Sequence, residues 1–309
     1  MTTESARPTG LAVWVLGARP RTLPAAVVPV LVGTACATSG ELGDVGWSIS
    51  WVRFALALIV ALALQIATNY ANDYSDGERG TDDPADRIGP PRLVGSGLAT
   101  ASQVKTAMLC GFGVALVAGG VLVLLVGWVL IPVGIAAVAA GWFYTGGSRP
   151  YGYAGFGEVF VFLFFGVVAT VGSTYVQHEE VTWLSVGSSV AVGSLATALL
   201  VVNNLRDIPG DTKVGKRTLA VRLGEHRTRI LYTLLMVLPF AMLPFLAGLG
   251  DRPGGALALV AVAVGTKPVT MVLTGARGRA LIPVLGATGR TQLTFGALLS
   301  VGYIVSLAV

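Results

Sequence analysis

The stretch Asn69-Tyr-Ala-Asn-Asp-Tyr-Ser-Asp76 closes an apolar run that begins near Trp51, so carboxylates lie at the end of a hydrophobic segment. A second stretch, Asn203-Asn-Leu-Arg-Asp-Ile-Pro-Gly-Asp211, closes another apolar run later in the chain. Ionisable groups are costly at such positions in a membrane protein and mark function by default. We call residues 69–83 the first acidic motif and residues 203–217 the second acidic motif, and we expect them to face each other.

The composition is that of a polytopic membrane protein. The chain has 309 residues, of which 54% are hydrophobic and 12% charged, and its mean hydropathy is +0.75, whereas soluble proteins are usually about 25% charged. Apolar runs of roughly 17–25 residues can span a bilayer as helices. We therefore expect one all-α domain over residues 1–309, with a polar N-terminal tail at residues 1–12. Nine spans are predicted, at about 22–39, 51–72, 104–126, 128–145, 156–176, 184–205, 229–249, 255–275 and 291–308.

The basic residues predict the orientation of these spans. Of the 21 Lys and Arg residues, all except Arg53, Arg252 and Lys267 fall on one side of the predicted bundle. The positive-inside rule makes that side cytoplasmic. We expect a multi-pass cell-membrane protein with a cytoplasmic N-terminus, an extracytoplasmic C-terminus and both acidic motifs at the cytoplasmic side. The net charge of +5 follows from this topology and requires no nucleic-acid partner.

The polar residues of the two motifs have helical spacing. Asn69, Asn72, Asp73 and Asp76 recur at i, i+3, i+4 and i+7, which places them on one face of a helix. Either Asn203 or Asn204, then Asp207 and Asp211, repeats this pattern. Because Pro209-Gly210 disfavours a helix interior, we expect Asp211 to lie on a loop.

These side chains suit a hard cation. Carboxylate and amide oxygens are typical of Mg²⁺ sites, in which one or two carboxylates and substrate phosphates share the ion. No His or Cys accompanies them in the motifs, which argues against zinc. Basic residues flank the motifs, and Arg and Lys bind phosphate. The pattern predicts a Mg²⁺–diphosphate site, and in a membrane protein it indicates an isoprenoid diphosphate. The isoprenoid chain becomes a cation when the diphosphate departs, and an aromatic face such as that of Tyr144 could stabilise this cation. The flanking basic residues are Arg79, Arg149, Lys213, Lys216 and Arg217.

Several longer strings carry a family resemblance. They are Ala18-Arg-Pro-Arg-Thr-Leu-Pro24, the first acidic motif, Tyr144-Thr-Gly-Gly-Ser-Arg-Pro-Tyr-Gly-Tyr153, and the second acidic motif extended to Gly224. From about residue 18 to 300 the chain resembles the UbiA superfamily of intramembrane aromatic prenyltransferases. Within it the chain is similar to the branch that prenylates 1,4-dihydroxy-2-naphthoate.

The resemblance implies a nine-helix bundle around a central cavity that opens at the cytoplasmic side. It implies Mg²⁺-dependent transfer of a polyprenyl chain from polyprenyl diphosphate to 1,4-dihydroxy-2-naphthoate, with loss of CO2, giving demethylmenaquinone. By motif, the metal ligands are Asn72, Asp73, Asp76 and Asp82 on one side and Asn204, Asp207 and Asp211 on the other. Asp83 stands beside Asp82 and remains an alternative. The catalytic set is Asp73, Asp76, Asp207, Asp211 and Tyr144.

The substrates need further partners. The acceptor carboxylate requires a cation, for which the candidates are Arg21, Arg92 and Arg149, with Lys267 as an outside possibility. Glu158 either bonds an acceptor hydroxyl or pairs with Arg149. The full substrate-binding set is Asn69, Arg79, Lys213, Arg217, Arg149, Arg21, Arg92 and Glu158.

Three alternatives stay open at this point. One is a sister enzyme that prenylates 4-hydroxybenzoate, homogentisate or a glycerol phosphate lipid. Another is a CDP-alcohol phosphotransferase, although the Ala-Arg pair of that motif is missing after Asp76-Gly-Glu-Arg79. The third is an ion-coupled transporter, although transporters bind their ions near the bilayer midplane. No pattern predicts the isoprenoid length or an oligomeric state.

Overall fold

The computed structural model describes residues 8–38, 49–81 and 88–308, and within these ranges the chain is helical without a β-strand. Ten helices follow one another along the described chain. They are α1 Leu11–Ala18, α2 Pro24–Cys36, α3 Trp51–Glu78, α4 Ala101–Val126, α5 Leu130–Phe143, α6 Gly157–His178, α7 Trp183–Lys213, α8 Leu219–Leu249, α9 Pro253–Leu273 and α10 Leu281–Val305.

Six of these helices are long and apolar enough to cross a membrane, and the number rises to seven if the bent pair α1–α2 counts as one span. The chain is therefore a multi-pass membrane protein. Helix α5 is apolar but has only 14 residues, and α10 has 25 residues without meeting the same hydropathy test. The count of nine spans stays a prediction.

The first span differs from the predicted run 22–39. The structure has two helices bent by 53°, and the first of them starts at Leu11, inside the predicted polar tail. The bend lies between Leu11–Thr22 and Pro24–Cys36. Within the first piece α1 ends at Arg19, whose backbone is left-handed (φ 52°), and a short 3-10 turn begins at Pro20, which has no N–H to donate to a helical bond. The bend brings the α1–α2 connection against α3, where Asn69 Nδ2 donates to the Ala18 carbonyl at 3.0 Å.

Helix α7 is the centre of the bundle. In its most apolar stretch 83% of the residues are buried, whereas the corresponding share in the other five long spans is 17–28%. Small residues allow α7 to pack this closely against its neighbours. At the contact of Gly166 in α6 with Gly193 in α7 there is no room for a side chain, because a Cβ on Gly166 would lie only 2.5 Å from the Gly193 Cα. The opposed stretch Phe162–Val168 of α6 is a π-helical turn, a distortion that is frequent at functional sites.

One predicted loop is wrong, and two predicted spans start later than the helices that contain them. Gly224, whose backbone is not helical (φ 74°), divides α8, and the predicted run 229–249 lies in the part that follows this kink. Helix α10 begins at Leu281, ahead of the predicted run 291–308. Asp211 is helical, because α7 continues through Pro209 to Lys213. A proline close to a helix end removes one backbone bond while its fixed φ still fits the helix.

The acidic motifs lie at one end of the bundle, which we call the motif end. Arg53 and Arg252 lie at the opposite, far end. There Arg53 Nη1 donates to the Val176 and Gln177 carbonyls at the end of α6, each at 3.0 Å. Arg252 Nη2 donates to the Thr38 carbonyl beyond α2 at 2.6 Å.

Candidate active site

A cavity of about 1020 Å³ runs into the bundle from the motif end. Both acidic motifs line it, which brings together side chains that are far apart in the sequence. Of the predicted site residues, those that line the cavity are Arg21, Asn69, Asn72, Asp73, Asp76, Arg92, Tyr144, Asn204, Asp207, Asp211 and Lys213.

Asp76 pairs with two cationic side chains at the cavity. It is 2% exposed, and its Oδ1 accepts a hydrogen bond from the Tyr153 hydroxyl at 2.5 Å. Its Oδ2 lies 3.1 Å from Lys216 Nζ and 3.6 Å from Arg92 Nη2. The Lys216 ammonium also lies over the Tyr153 ring, 4.5 Å from its centroid. Asp76 therefore holds two cations at the mouth of the cavity.

Asp73 is bonded to backbone instead. Its Oδ2 accepts from the Leu93 N–H at 2.8 Å and its Oδ1 from the Val94 N–H at 2.9 Å. The carboxylate thereby anchors the backbone that follows Arg92, while Asp76 contacts the Arg92 side chain. Each oxygen retains a second lone pair, so metal ligation by Asp73 stays a prediction.

One asparagine of each motif is held from the segment 144–158, which connects α5 to the first turn of α6. The Thr145 hydroxyl donates to Asn72 Oδ1 at 2.8 Å, and Asn204 Nδ2 donates to Glu158 Oε1 at 2.9 Å. Asn69 is held elsewhere, since its Nδ2 also reaches Thr22 Oγ1 at 3.2 Å. One segment therefore positions an amide from each motif.

In the second motif, Asp207 is paired with its neighbour Arg206. Arg206 Nε and Nη2 donate to Asp207 Oδ1 and Oδ2 at 2.7 and 2.6 Å, and Nη2 also donates to Asn203 Oδ1 at 2.9 Å. One turn further along α7, Asp211 Oδ2 accepts from the Thr218 hydroxyl at 3.4 Å.

An aromatic wall lies beside the polar mouth. The rings of Tyr144 and Tyr151 meet edge to face with 5.5 Å between centroids, and Tyr151 stacks on Phe160 at 3.9 Å. Phe164 continues the row, and all four residues line the cavity.

Beyond this wall the cavity is lined mainly by small and aliphatic residues. They come from the middle of α3, α4 and α5 and from the second half of α6. A long apolar chain would fit this surface, because it offers no buried charge to an aliphatic ligand. Representative residues are Val60, Leu64, Leu116, Val138 and Val168.

Four predicted substrate-binding residues are not part of the cavity lining. Arg79 donates to the Thr145 and Gly147 carbonyls and so supports the 144–158 segment. Arg149 and Arg217 are exposed. Glu158 is buried and bonds Asn204, not Arg149. Asp82 and its alternative Asp83 lie outside the described residues.

Lining residues outside the predicted set include Arg19, Arg206, Tyr153, Phe160 and Phe164, whereas Lys216 was predicted as a basic residue beside the diphosphate site. Phe160 and Phe164 carried a sequence signal, since a spacing of four places two aromatic rings on one helix face. Arg206 had the signal of a cation within an acidic motif, but it was counted only in the orientation argument.

The oxygen atoms of the two acidic motifs are of the kind that bind a divalent cation. Among the described residues no three His, Cys, Asp or Glu side chains are clustered tightly enough to form a metal site of their own. Mg²⁺ does not need such a cluster, because it keeps waters and shares its shell with substrate phosphates. Hard oxygens from both motifs line one cavity, and each of two carboxylates already attracts a cationic side chain.

The fold and the two facing motifs define a class of membrane-embedded prenyltransferase. Residues 26–281 match the model of the UbiA prenyltransferase family, and the chain belongs to that family.

Individual relatives are consistent with this. The chain is 49% identical over 284 residues to the 1,4-dihydroxy-2-naphthoate octaprenyltransferase of Mycobacterium tuberculosis, covering 91% of this chain and 93% of the relative. Its fold is similar to that of a UbiA homolog from Archaeoglobus fulgidus, with a TM-score of 0.66, 13% identity, and coverage of 96% and 100%. The same homolog bound to DMAPP and Mg²⁺ aligns with a TM-score of 0.56 and 14% identity, covering 93% and 99%.

Proposed function

We propose that this protein transfers a polyprenyl chain from polyprenyl diphosphate to 1,4-dihydroxy-2-naphthoate in a Mg²⁺-dependent reaction. The acceptor loses its carboxylate as CO2, diphosphate leaves, and the product is demethylmenaquinol, the reduced form of demethylmenaquinone. The observation that carries the reaction class is that both acidic motifs line the polar end of one otherwise apolar cavity. The acceptor is supported by the 49% identity to a relative that bears the name of this activity.

The head group would bind at the motif end. Asn72, Asp73, Asp76 and Asp82 are the proposed ligands of one Mg²⁺, and Asn204, Asp207 and Asp211 those of a second. Mg²⁺, when bound, would neutralise diphosphate and so make it a leaving group. Lys216, Arg92 and Lys213 are the proposed contacts of the phosphate oxygens, which is supported by their position in the cavity lining.

The chain's own residues then protect the electrophile. As the allylic C–O bond breaks, positive charge develops on the departing chain. The faces of Tyr144, Tyr151 and Phe160 lie below the polar mouth and can stabilise a cation. The apolar surface beyond them excludes water, which would otherwise capture the cation.

The acceptor attacks this carbon through the ring carbon that bears its carboxylate, and the new C–C bond forms as the C–O bond to diphosphate breaks. The carbon that bears the carboxylate then loses CO2, and the electrons of the broken bond return to the ring, so no separate base is required. Arg21 and Arg92 line the cavity and are the proposed partners of the acceptor carboxylate before it leaves.

We further propose the full topology of nine spans in the plasma membrane, with the motif end and the N-terminus cytoplasmic and the C-terminus extracytoplasmic. The two far-end arginines, Arg53 and Arg252, support this orientation because the remaining described cations concentrate toward the motif end.

The reaction can be tested with membranes containing the protein, a labelled polyprenyl diphosphate and acceptors supplied one at a time. We expect 1,4-dihydroxy-2-naphthoate labelled in its carboxyl carbon to release CO2 in step with lipid-soluble product. EDTA should abolish both signals and excess Mg²⁺ should restore them. An inert 1,4-dihydroxy-2-naphthoate beside a prenylated 4-hydroxybenzoate or homogentisate would refute the proposed acceptor.

A further inference from the structure

Arg206 makes the most complete ion pair at the motif end. Two of its nitrogens meet the two oxygens of Asp207 at 2.7 and 2.6 Å, and a third contact reaches Asn203 at 2.9 Å. The side chain of Arg206 is 4% exposed, whereas that of Asp207 is 25% exposed. Consecutive residues on a helix point in different directions, so the guanidinium has to fold back to reach Asp207.

The guanidinium is held in a defined place. It lies against the backbone of Gly89, where a Cβ would be only 3.0 Å from Nη2 and 3.2 Å from Cζ. The residues around Gly89 form part of the cavity wall, since Ile88, Pro90 and Pro91 line it together with Arg206. Arg206 therefore has a backbone support on one side and the cavity on the other.

This pairing competes with the proposed metal. Asp207 cannot offer the same oxygen lone pairs to a guanidinium and to a divalent cation. If a cation takes Asp207, the guanidinium loses its partner while it remains largely buried, and an unpaired buried charge is costly. The anion that arrives with the cation is the diphosphate of the substrate, and a planar guanidinium binds phosphate through two parallel bonds.

We infer that Arg206 is an exchangeable counter-ion: it pairs with Asp207 in the metal-free protein and transfers to the diphosphate when metal and substrate bind together. This inference rests on the proposed function and assigns a new residue to its diphosphate site. One consequence is that metal and diphosphate assist each other's binding, because each supplies the partner that the other displaces.

The experiment measures binding rather than turnover. Purified protein in detergent is titrated with Mn²⁺, followed by electron paramagnetic resonance, with and without inorganic pyrophosphate. For Arg206→Ala we expect Mn²⁺ alone to bind more tightly, because its competitor is gone. We expect pyrophosphate to bind more weakly in the presence of Mn²⁺. Each change should be roughly tenfold to a hundredfold, the range for a hydrogen bond to a charged group.

Three further variants sharpen the test. Arg206→Lys keeps the charge but loses the paired geometry, so both affinities should be intermediate. Gly89→Ala should move the guanidinium and shift both affinities in the same directions by a smaller factor, while all charges stay. Arg227→Ala removes an exposed arginine of α8 away from the cavity and is the matched control, with both affinities unchanged.

Weaker binding of both ligands to Arg206→Ala and Gly89→Ala, or no change in either, would overturn the inference. That result would assign Arg206 a merely structural role. The outcome is separable from the proposed function, since wild-type prenyl transfer is measured independently and the binding assay needs no acceptor.

Discussion

Asn204 of the second acidic motif donates through Nδ2 to Glu158 Oε1 at 2.9 Å. An ionised carboxylate only accepts hydrogen bonds, so this contact fixes the orientation of the Asn204 amide. Its Nδ2 points to Glu158, and its Oδ1 is left for the cavity that Asn204 lines. Glu158 is therefore a positioning residue for a proposed metal ligand, rather than a direct partner of the acceptor.

Replacement of Glu158 should accordingly change the metal dependence. In Glu158→Ala the amide can rotate, and the Mg²⁺ concentration needed for half-maximal prenyl transfer should rise by about tenfold, the usual lower effect of removing a residue that orients a metal ligand. Glu158→Gln can still accept a hydrogen bond from Asn204, so its Mg²⁺ requirement should fall between those of the wild type and Glu158→Ala. Both variants need the same assay with Mg²⁺ varied at saturating polyprenyl diphosphate. A Glu158→Ala protein with unchanged Mg²⁺ dependence would remove the positioning role.

The adjacent carboxylates Asp73 and Asp76 should respond differently to substitution by asparagine. Asp73→Asn replaces one acceptor of a backbone N–H by a donor and leaves that N–H unpaired in a buried site, at a cost of about 1–3 kcal/mol in the free energy of unfolding. Asp76→Asn can still accept from Tyr153 but removes the charge that holds Lys216 and Arg92, so it should lower the free energy of unfolding as well, and prenyl transfer should fall by about a hundredfold or more.

Thermal unfolding in detergent and the prenyl-transfer assay, applied to both variants, separate these roles. Glu180→Ala, an exposed carboxylate at the far end, is the control for both measurements. Asp207→Ala should match the activity loss of Asp76→Asn, with membrane expression unchanged. Substantial turnover in both the Asp76 and the Asp207 variants would contradict the proposed site.

The features that were predictable from the sequence are those set by local periodicity. The spacing of Asn69, Asn72, Asp73 and Asp76 predicted one helix face, and all four are buried and line the cavity. The prediction for Asp211 was wrong because Pro209 was weighed as an interior helix breaker, whereas it lies near the end of a long packed helix.

The roles of individual side chains were less predictable, because they depend on tertiary neighbours. Glu158 was expected to meet the acceptor or Arg149, and only the packing of α6 against α7 brings it to Asn204. Arg206 was counted as one more positive charge on the predicted cytoplasmic side. Its pairing with Asp207 depends on a folded-back rotamer and on the absence of a side chain at Gly89, and neither can be read from residue type or spacing.

The phenol of Tyr144 should contribute its ring face rather than a titrating group. Because a phenol ordinarily titrates near pH 10, the hydroxyl stays neutral across the range in which the enzyme is assayed. Tyr144→Phe keeps the ring and should retain transfer to within about threefold, whereas Tyr144→Ala should lose about 3- to 30-fold, the equivalent of one cation–π contact. The pH profile of Tyr144→Phe should match that of the wild type between pH 6 and about 9.

A loss in Tyr144→Phe as large as that in Tyr144→Ala would show that the hydroxyl, and not the ring, carries the effect. Phe164→Leu is a useful companion variant, because it removes a ring further along the wall while it keeps an apolar side chain.

The orientation of the bundle can be tested with single cysteines at its two ends. Ala280, before α10, is exposed at the motif end, and Val181, between α6 and α7, is exposed at the far end. Both are neutral, so neither substitution alters the charge distribution that sets topology. In a Cys110→Ser background, with Cys36 buried, a membrane-impermeant maleimide applied to intact cells should label Val181→Cys and spare Ala280→Cys. Permeabilised cells should show both labelled, which controls for reactivity. The reverse pattern in intact cells would place the acidic motifs outside, where the proposed cytoplasmic polyprenyl diphosphate could not reach them.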